Sequence, residues 1–370
     1  MEEIKIKKIL LATSAQYGYN TDFFKYVKYI ENKKDKYVYR IISIDQGFKK
    51  FENNNVIYTT KVKLKINILK KLIELICYWG YVAREIKRFN PDTVFLKDKI
   101  GAGIFYKVSR FFYKDINFIF DIRTVYISND KKKNKKENIA LKKRAECFEN
   151  ITIIDNEVAK YLEIQKYKYL PLGSDVYSSS LLTEKEDFKL LYIGIFDCRN
   201  IEEFINGYVK FFEESTDNKI ELNIVGKYND IIKQIEFEKY IKDKEKIYNI
   251  KYHGFKEHNE IVNLFKKCSV GVAFIPINDM YTLQPPTKTY EYIVNNLMCL
   301  ATKTKANENI LKNINDKFYE IVNDDYDSVS MGLKSIYEKF NYVKVNQKRI
   351  DYPDDFLWEN IIKKYFEPLL

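Results

Sequence analysis

Short apolar segments alternate with helix-length connections along the first half of the chain, stop at Pro171-Leu172-Gly173-Ser174-Asp175, and then start again at Phe188. Parallel strands need a long crossover between them, usually a helix, so this alternation selects a parallel sheet covered on both faces. Strands are predicted at 9–12, 38–43, 93–96, 117–121 and 151–154, with right-handed helical crossovers between them. After the breaker cluster and the polar linker 178–187, strands follow at 188–194, 220–225, 247–252, 270–275 and 298–302, with helices at 201–213 and 261–267. Two successive Rossmann-like domains facing a central cleft are expected, divided near residue 172, with the second running over 173–350. The segment 351–370 repeats apolar residues at helical spacing and is expected to form a helix packing back on the first domain.

The length agrees with two domains, since 370 residues exceed what one core usually serves. A hydrophobic content of 46% supplies both cores and excludes a mainly disordered chain. The net charge of +11 invites a nucleic-acid or membrane partner, but the basic residues are dispersed along the whole chain and no zinc-finger, leucine-zipper or RNA-binding sheet pattern accompanies them. No nucleic-acid partner is expected. Five cysteines, odd in number and mostly set in apolar runs, read as reduced core residues of a cytosolic protein. Only His253 and His258 are present, without a neighbouring Cys to complete a local zinc signature, so no metal is expected. The charged start Met1-Glu2-Glu3-Ile4-Lys5 has no signal-peptide pattern, and no run reaches the 18 or more apolar residues of a spanning helix.

The chemistry is concentrated in 284–301. Pro285 and Pro286 suit a helix start, where no amide donor is needed, and Tyr290, Ile293, Val294 and Leu297 recur as a core-facing stripe. Lys288, Glu291 and Asn295 fall on the opposite face. A helix N-terminus with a lysine beside it holds a diphosphate, and a carboxylate one turn later accepts the two hydroxyls of a ribose. The plainer reading of the same pair is an amphipathic helix with a surface salt bridge.

The order of the surrounding motifs resembles that of the GT-B fold glycosyltransferases, close to the large family-four group of retaining sugar transferases. The pieces are Tyr192 to Asn200, Leu222 to Lys227, Ile250 to Phe255, Leu264 to Val270 and Pro286 to Tyr292, so the resemblance is strongest over 188–302. It implies a nucleotide-sugar donor, UDP- or GDP-linked, bound by the second domain, with no further cofactor. Glu291 stands where the family binds ribose, and Lys288 and Arg199 are the best cations to stabilise the departing diphosphate. Gly18, Gly194 and Gly226 correspond to strand-end glycines that let backbone approach the donor. Asp121 and Arg123 lie where acceptor-side residues are found, able to order acceptor hydroxyls; a buried structural pair is the other reading of them. The chain departs from the pattern at Ile195, where a basic residue is usual, and at Leu283, where the first of two paired acids is usual; Arg199 and Asp279 are the substitutes.

The resemblance implies retaining, metal-independent transfer to a saccharide or lipid-linked saccharide, in cell-surface polysaccharide, lipopolysaccharide or capsule synthesis. The segment 62–89 interleaves Lys63, Lys65, Lys70, Lys71, Arg84, Lys87 and Arg88 with Leu, Ile, Tyr and Trp79, a pattern that suits contact with an anionic membrane surface as well as a helix on a sheet. A cytoplasmic enzyme, peripheral on the inner face of the membrane, is the expectation. Two other classes stay open: a noncatalytic carbohydrate-binding or scaffold protein of this fold, favoured by Leu283 and Ile195, and a nucleotide-sugar epimerase, disfavoured by the lack of a pair of catalytic acids.

Overall fold

The computed structural model describes residues 6–60, 66–128, 130–215, 219–279, 281–346 and 349–370. The chain divides into two compact units, one of Met1–Pro171 with Ile361–Leu370 and the other of Leu172–Asn360.

The first unit runs β1 (Lys7–Thr13), α1 (Thr21–Glu31), β2 (Tyr37–Ile44), β3 (Val56–Thr59), α2 (Asn67–Phe89), β4 (Thr93–Lys97), α3 (Ala102–Phe112), β5 (Asn117–Ile122), α4 (Lys131–Ala145), β6 (Asn150–Ile153), α5 (Asn156–Tyr161) and β7 (Lys168–Tyr169). Its seven strands are parallel in the order β3-β2-β1-β4-β5-β6-β7. Ile9, Leu10, Leu11 and Ala12 of β1 are wholly buried between β2 and β4, which is why a continuous apolar run is needed there. Phe23, Tyr26, Val27 and Ile30 give α1 the buried stripe that holds it to the sheet. The end of the chain belongs to this core: Phe366 stacks on Tyr26 at 4.3 Å and meets Phe95 edge-on, while the Lys7 ammonium donates to the carbonyl of Leu370.

The second unit runs β8 (Lys189–Ile195), α6 (Ile201–Glu214), β9 (Glu221–Lys227), α7 (Ile231–Glu245), β10 (Ile250–Tyr252), α8 (His258–Lys267), β11 (Val270–Ala273), α9 (Thr287–Val294), β12 (Met298–Thr302), α10 (Lys305–Leu311), β13 (Tyr319–Val322) and α11 (Tyr326–Asn346). Its parallel order is β10-β9-β8-β11-β12-β13. Each sheet therefore reverses its strand order once, between β1 and β4 and between β8 and β11, and such reversals open a crevice at the carboxyl ends of the strands.

Some elements differ from expectation. The edge strands β3 and β13 and the two-residue β7 are additional, and the strand at 247–252 shortens to β10, with Asn249 before it at a left-handed φ of 49°. The tail is not one helix: Asp354–Phe356, Trp358–Ile361, Ile362–Phe366 and Glu367–Leu369 are successive short helical turns of differing pitch. Of the five free cysteines only Cys268 and Cys299 are buried; Cys198 is exposed on a loop. Val62, Lys63 and Lys65 lie outside the described residues.

Candidate functional site

The crevice of the second unit is flanked by the loop from β8 to α6 and the loop from β11 to α9, and a cation–ring contact joins them. The guanidinium of Arg199 lies over the ring of Tyr281, 4.4 Å from its centroid. Cys198 and Asn200 on either side of Arg199 both have left-handed φ, 57° and 50°, a conformation few L-residues adopt without local support. That support comes from Asp197, whose carboxylate accepts from the amide of Asn229, and from the Arg199 amide donating to the carbonyl of Phe196.

Helix α9 is fixed on several sides. Its ring of Tyr292 fills the space over Gly271, where an added Cβ would lie 2.0 Å from the ring, and its hydroxyl accepts from the amide of Ile193, next to Gly194. Buried Thr289 donates to Asn307, and Tyr290 meets Phe356 edge-on. On the surface so held, Lys288 Nζ lies 2.6 Å from Glu291 Oε2. The Glu291 side chain is only 10% exposed against 30% for Lys288, so this is not the freely solvated surface pair of the plainer reading. Asn295 does not share that face: it is wholly buried, accepts from the amides of Tyr177 and Ser178, and donates to the carbonyls of Asp175 and Glu291. It splices the 175–178 segment onto the end of α9, a role invisible to helical spacing because its partners lie over a hundred residues away.

The three glycines differ. At Gly194 an added Cβ would meet nothing closer than the Tyr192 ring at 3.7 Å, so no packing demand explains it. Gly226 has a φ of 150°, an added Cβ would sit 1.8 Å from the Gly194 carbonyl oxygen, and its amide is already given to the carbonyl of Gly254. Its need is the close approach of β8 and β9, not an amide free for a ligand. Gly18, with a φ of 96°, lies beneath the ring of Phe51, which occupies the space a side chain would take.

In the first unit Asp121 and Arg123 are drawn into a buried ionic cluster at the ends of β4 and β5. Arg123 Nε lies 2.6 Å from Asp22 Oδ2 and donates from its other nitrogens to the carbonyls of Leu170 and Pro171. Lys97 Nζ lies 3.0 Å from Asp22 and 2.8 Å from Asn20 Oδ1, and Thr152 donates to Asp121 at 2.8 Å. Burial opposes the Asp22 charge, but Lys97 and Arg123 outweigh it and hold the carboxyl down at about 2. Asp121 is fully buried and the same two cations do not offset the burial, so it is raised to about 6. Neither Asp121 nor Arg123 presents a free group to solvent in this arrangement. Lys97 and Asp22, unremarked in the sequence, are the other half of the cluster; a lysine closing a buried strand was the available signal.

His253 Nε2 is 2.9 Å from Asn223 Oδ1, and burial together with Lys256 lowers its pKa. Among the described residues no group of three or more His, Cys, Asp or Glu gathers to hold a metal, and no helix is long and apolar enough to cross a membrane.

Solved structures with the same arrangement cover essentially the whole chain. Sucrose-phosphate synthase from Thermosynechococcus elongatus superposes with a TM-score of 0.65 at 11% identity over 97% of each chain. The chain has the GT-B fold. Trehalose 6-phosphate synthase from Burkholderia multivorans gives a TM-score of 0.67 at 9% identity, covering 98% of this chain and 96% of its own. HepE of Anabaena, in complex with UDP and glucose, gives 0.61 at 10% identity over 98% and 99%. No protein-family model and no curated protein sequence matches the chain.

Proposed function

We propose that this GT-B chain is a retaining glycosyltransferase that moves a sugar from a nucleotide-sugar donor to a saccharide or lipid-linked saccharide acceptor. The observation that carries the reading is the half-open Lys288–Glu291 pair at the start of α9, on the same sheet crevice that Arg199 and Tyr281 bridge. Glu291 accepts the ribose hydroxyls, while Lys288 and Arg199 meet the diphosphate as its charge grows. Gly194 leaves backbone open to the phosphates, and Gly226 lets the two strand ends close up behind it. UDP is the preferred nucleotide, since HepE, of the same fold, holds UDP and glucose.

The first unit is the acceptor side, with the loop around Gly18 at its crevice. Asp121 and Arg123 serve there as positioning residues that lock the strand ends. The proposal includes a role in cell-surface polysaccharide, lipopolysaccharide or capsule synthesis, on the inner face of the cytoplasmic membrane, with α2 meeting anionic lipid. A second reading, transfer to a sugar phosphate, is favoured by the sucrose-phosphate and trehalose 6-phosphate synthases of the same fold.

The test is a panel of UDP- and GDP-sugars, each incubated with soluble saccharides, sugar phosphates or extracted lipid-linked acceptors and read by nucleoside diphosphate release. Release with one donor supports the proposal, and the acceptor that accelerates it separates the two readings. Donor binding without release or transfer under any pairing identifies the noncatalytic alternative.

A further inference from the structure

The first unit carries an apolar face that its own core does not use. On α3, Ile104, Val108, Phe111 and Phe112 recur on one side of the helix and are 55 to 76% exposed. The buried side of the same helix is Ala102, Gly103, Tyr106 and Ser109. A helix that only covered a sheet would do the reverse, burying its large apolar residues and showing its small and polar ones.

The neighbouring α2 behaves alike over its first turns. Ile68, Leu72 and Ile76 are exposed, and among the described residues of this helix none before Tyr78 is buried. The two helices touch where Trp79 stacks on Phe105 at 4.6 Å and donates from its indole nitrogen to the carbonyl of Ile100. At about 100° per residue, Ile68, Leu72 and Ile76 fall on the Trp79 side of α2, so both apolar strips flank that one contact. Scattered exposed apolar residues are ordinary; a contiguous set on two touching helices marks an interaction surface.

Charge decides what covers it. By the same spacing Lys71, Lys87 and Lys107 border the apolar strips and both Glu of α2 fall away from them, while Lys70, Arg84, Arg88 and Arg110 lie on other faces, the last two paired with Glu85 and Glu149. A second copy would cover the apolar strips but bring two cationic surfaces together, whereas an anionic bilayer satisfies both features at once. We propose that this face of the first unit, led by Phe111 and Phe112, inserts into the headgroup layer of an anionic phospholipid membrane. Lys71, Lys87 and Lys107 then rest on the lipid phosphates, and the apolar rings reach the acyl boundary. This deepens the membrane part of the proposed function and rests on the transferase reading only for its purpose, since lipid binding is measured without any sugar present.

The experiment compares the full chain with Phe111→Ser/Phe112→Ser and with Lys107→Glu in flotation with vesicles of phosphatidylglycerol and phosphatidylcholine, or of phosphatidylcholine alone. The unaltered chain is expected to float with anionic vesicles, less so as salt rises, and to stay behind with neutral ones. The double serine variant is expected to lose at least tenfold in apparent affinity and Lys107→Glu a few-fold, with unchanged melting curves. Because a surface change can still disturb the fold, Phe112→Trp supplies a second readout: the emission it adds to that of the unaltered chain should shift to the blue with anionic vesicles and be quenched by brominated acyl chains. No flotation at low salt, equal flotation of the double serine variant, or added emission from Phe112→Trp that brominated lipid leaves unquenched overturns the proposal. So does a stable dimer of the unaltered chain that the double serine variant abolishes. Donor hydrolysis with soluble acceptors tests the transferase reading separately and is expected to be the same for all these variants.

Discussion

The Lys288 ammonium rests 2.6 Å from the Glu291 carboxylate, so these two charges of the candidate donor site are already paired before any donor arrives. A ribose diol approaching Glu291 and a phosphate approaching Lys288 would each exchange part of this contact for a new one. The two residues then respond as a unit rather than independently.

Glu291→Gln keeps the shape but removes the charge from the acceptor of the hydroxyls, and is expected to weaken donor binding by about 1–3 kcal/mol in calorimetry. Lys288→Ala is expected to fall in the same range. The double variant should lose less than the sum of the two, because each single change also breaks the Lys288–Glu291 contact. Affinity unchanged in both single variants removes the site assignment.

Arg199 is held over Tyr281 across the crevice, so it is pre-aimed rather than recruited. A fixed cation acts mainly where charge develops, and Arg199→Ala is expected to lower kcat by about 10²-fold with a smaller effect on donor KM. Tyr281→Leu removes the ring but not the charge and should give a milder loss of the same kind. If Arg199→Ala changes only KM, the residue binds donor without stabilising the leaving group.

Gly194 and Gly226 are separable by their surroundings. A Cβ at Gly226 would collide with the Gly194 carbonyl at a φ that L-residues avoid, so Gly226→Ala is expected to cost about 3 kcal/mol or more of stability. A Cβ at Gly194 meets only ordinary contact at 3.7 Å, so Gly194→Ala should melt within a few degrees of the unaltered chain yet bind donor more weakly. A Gly194→Ala variant with full donor affinity would show that this backbone does not lie against the diphosphate.

That contrast also marks how far sequence reading reaches. The buried runs of β1, β8 and β12 were legible because parallel strands covered on both faces are apolar without alternation. β3 was not, since it pairs only with β2 at the sheet edge and is mostly half-buried, which leaves its short run Val-Ile-Tyr-Thr without the apolar signal of an inner strand. The position of Lys288 beside Glu291 followed from helical spacing, whereas the burial of Asn295 depends on amides of Tyr177 and Ser178 that no local pattern announces. The glycine at 226 could be seen, but not its reason, because the demand comes from the neighbouring strand. Asp121 and Arg123 stand close together in the sequence; that Asp22 and Lys97 complete their cluster requires the β1–β4 reversal to bring α1 and β4 together.

Lys185 gives a pH signature for the second unit. Its ammonium is buried against the carbonyl of Asn296, and burial lowers its pKa to about 7. Between pH 7 and the ordinary lysine range the unfolded chain therefore binds more protons than the folded one, so unfolding free energy rises with pH through this interval. Lys185→Met fills the space without a titratable group. The gap between the melting temperatures of the unaltered chain and this variant should shift in favour of the unaltered chain from pH 7 to pH 9, as scanning calorimetry of both would show. A gap that is constant with pH means that Lys185 is charged in the folded state throughout.

The last expectation concerns the chemistry itself. Lys288 and Arg199 are fixed cations flanking one crevice, and they can stabilise a departing nucleoside diphosphate without a divalent ion. Transfer is accordingly expected to continue in excess chelator and to fall with Arg199→Ala, while the anomeric configuration of the donor is retained, as in the family the sequence resembles. These outcomes separate. Activity lost to chelator and restored by magnesium or manganese would transfer the electrostatic role from the two side chains to a metal, leaving the donor site where it is. An inverted product in a nuclear magnetic resonance time course would leave the two cations in place and require a general base on the acceptor side instead. Asp121, raised to about 6 by burial, is a poor candidate for that base while Arg123 and Thr152 enclose it, so an inverting enzyme would have to open the cluster at the ends of β4 and β5 first.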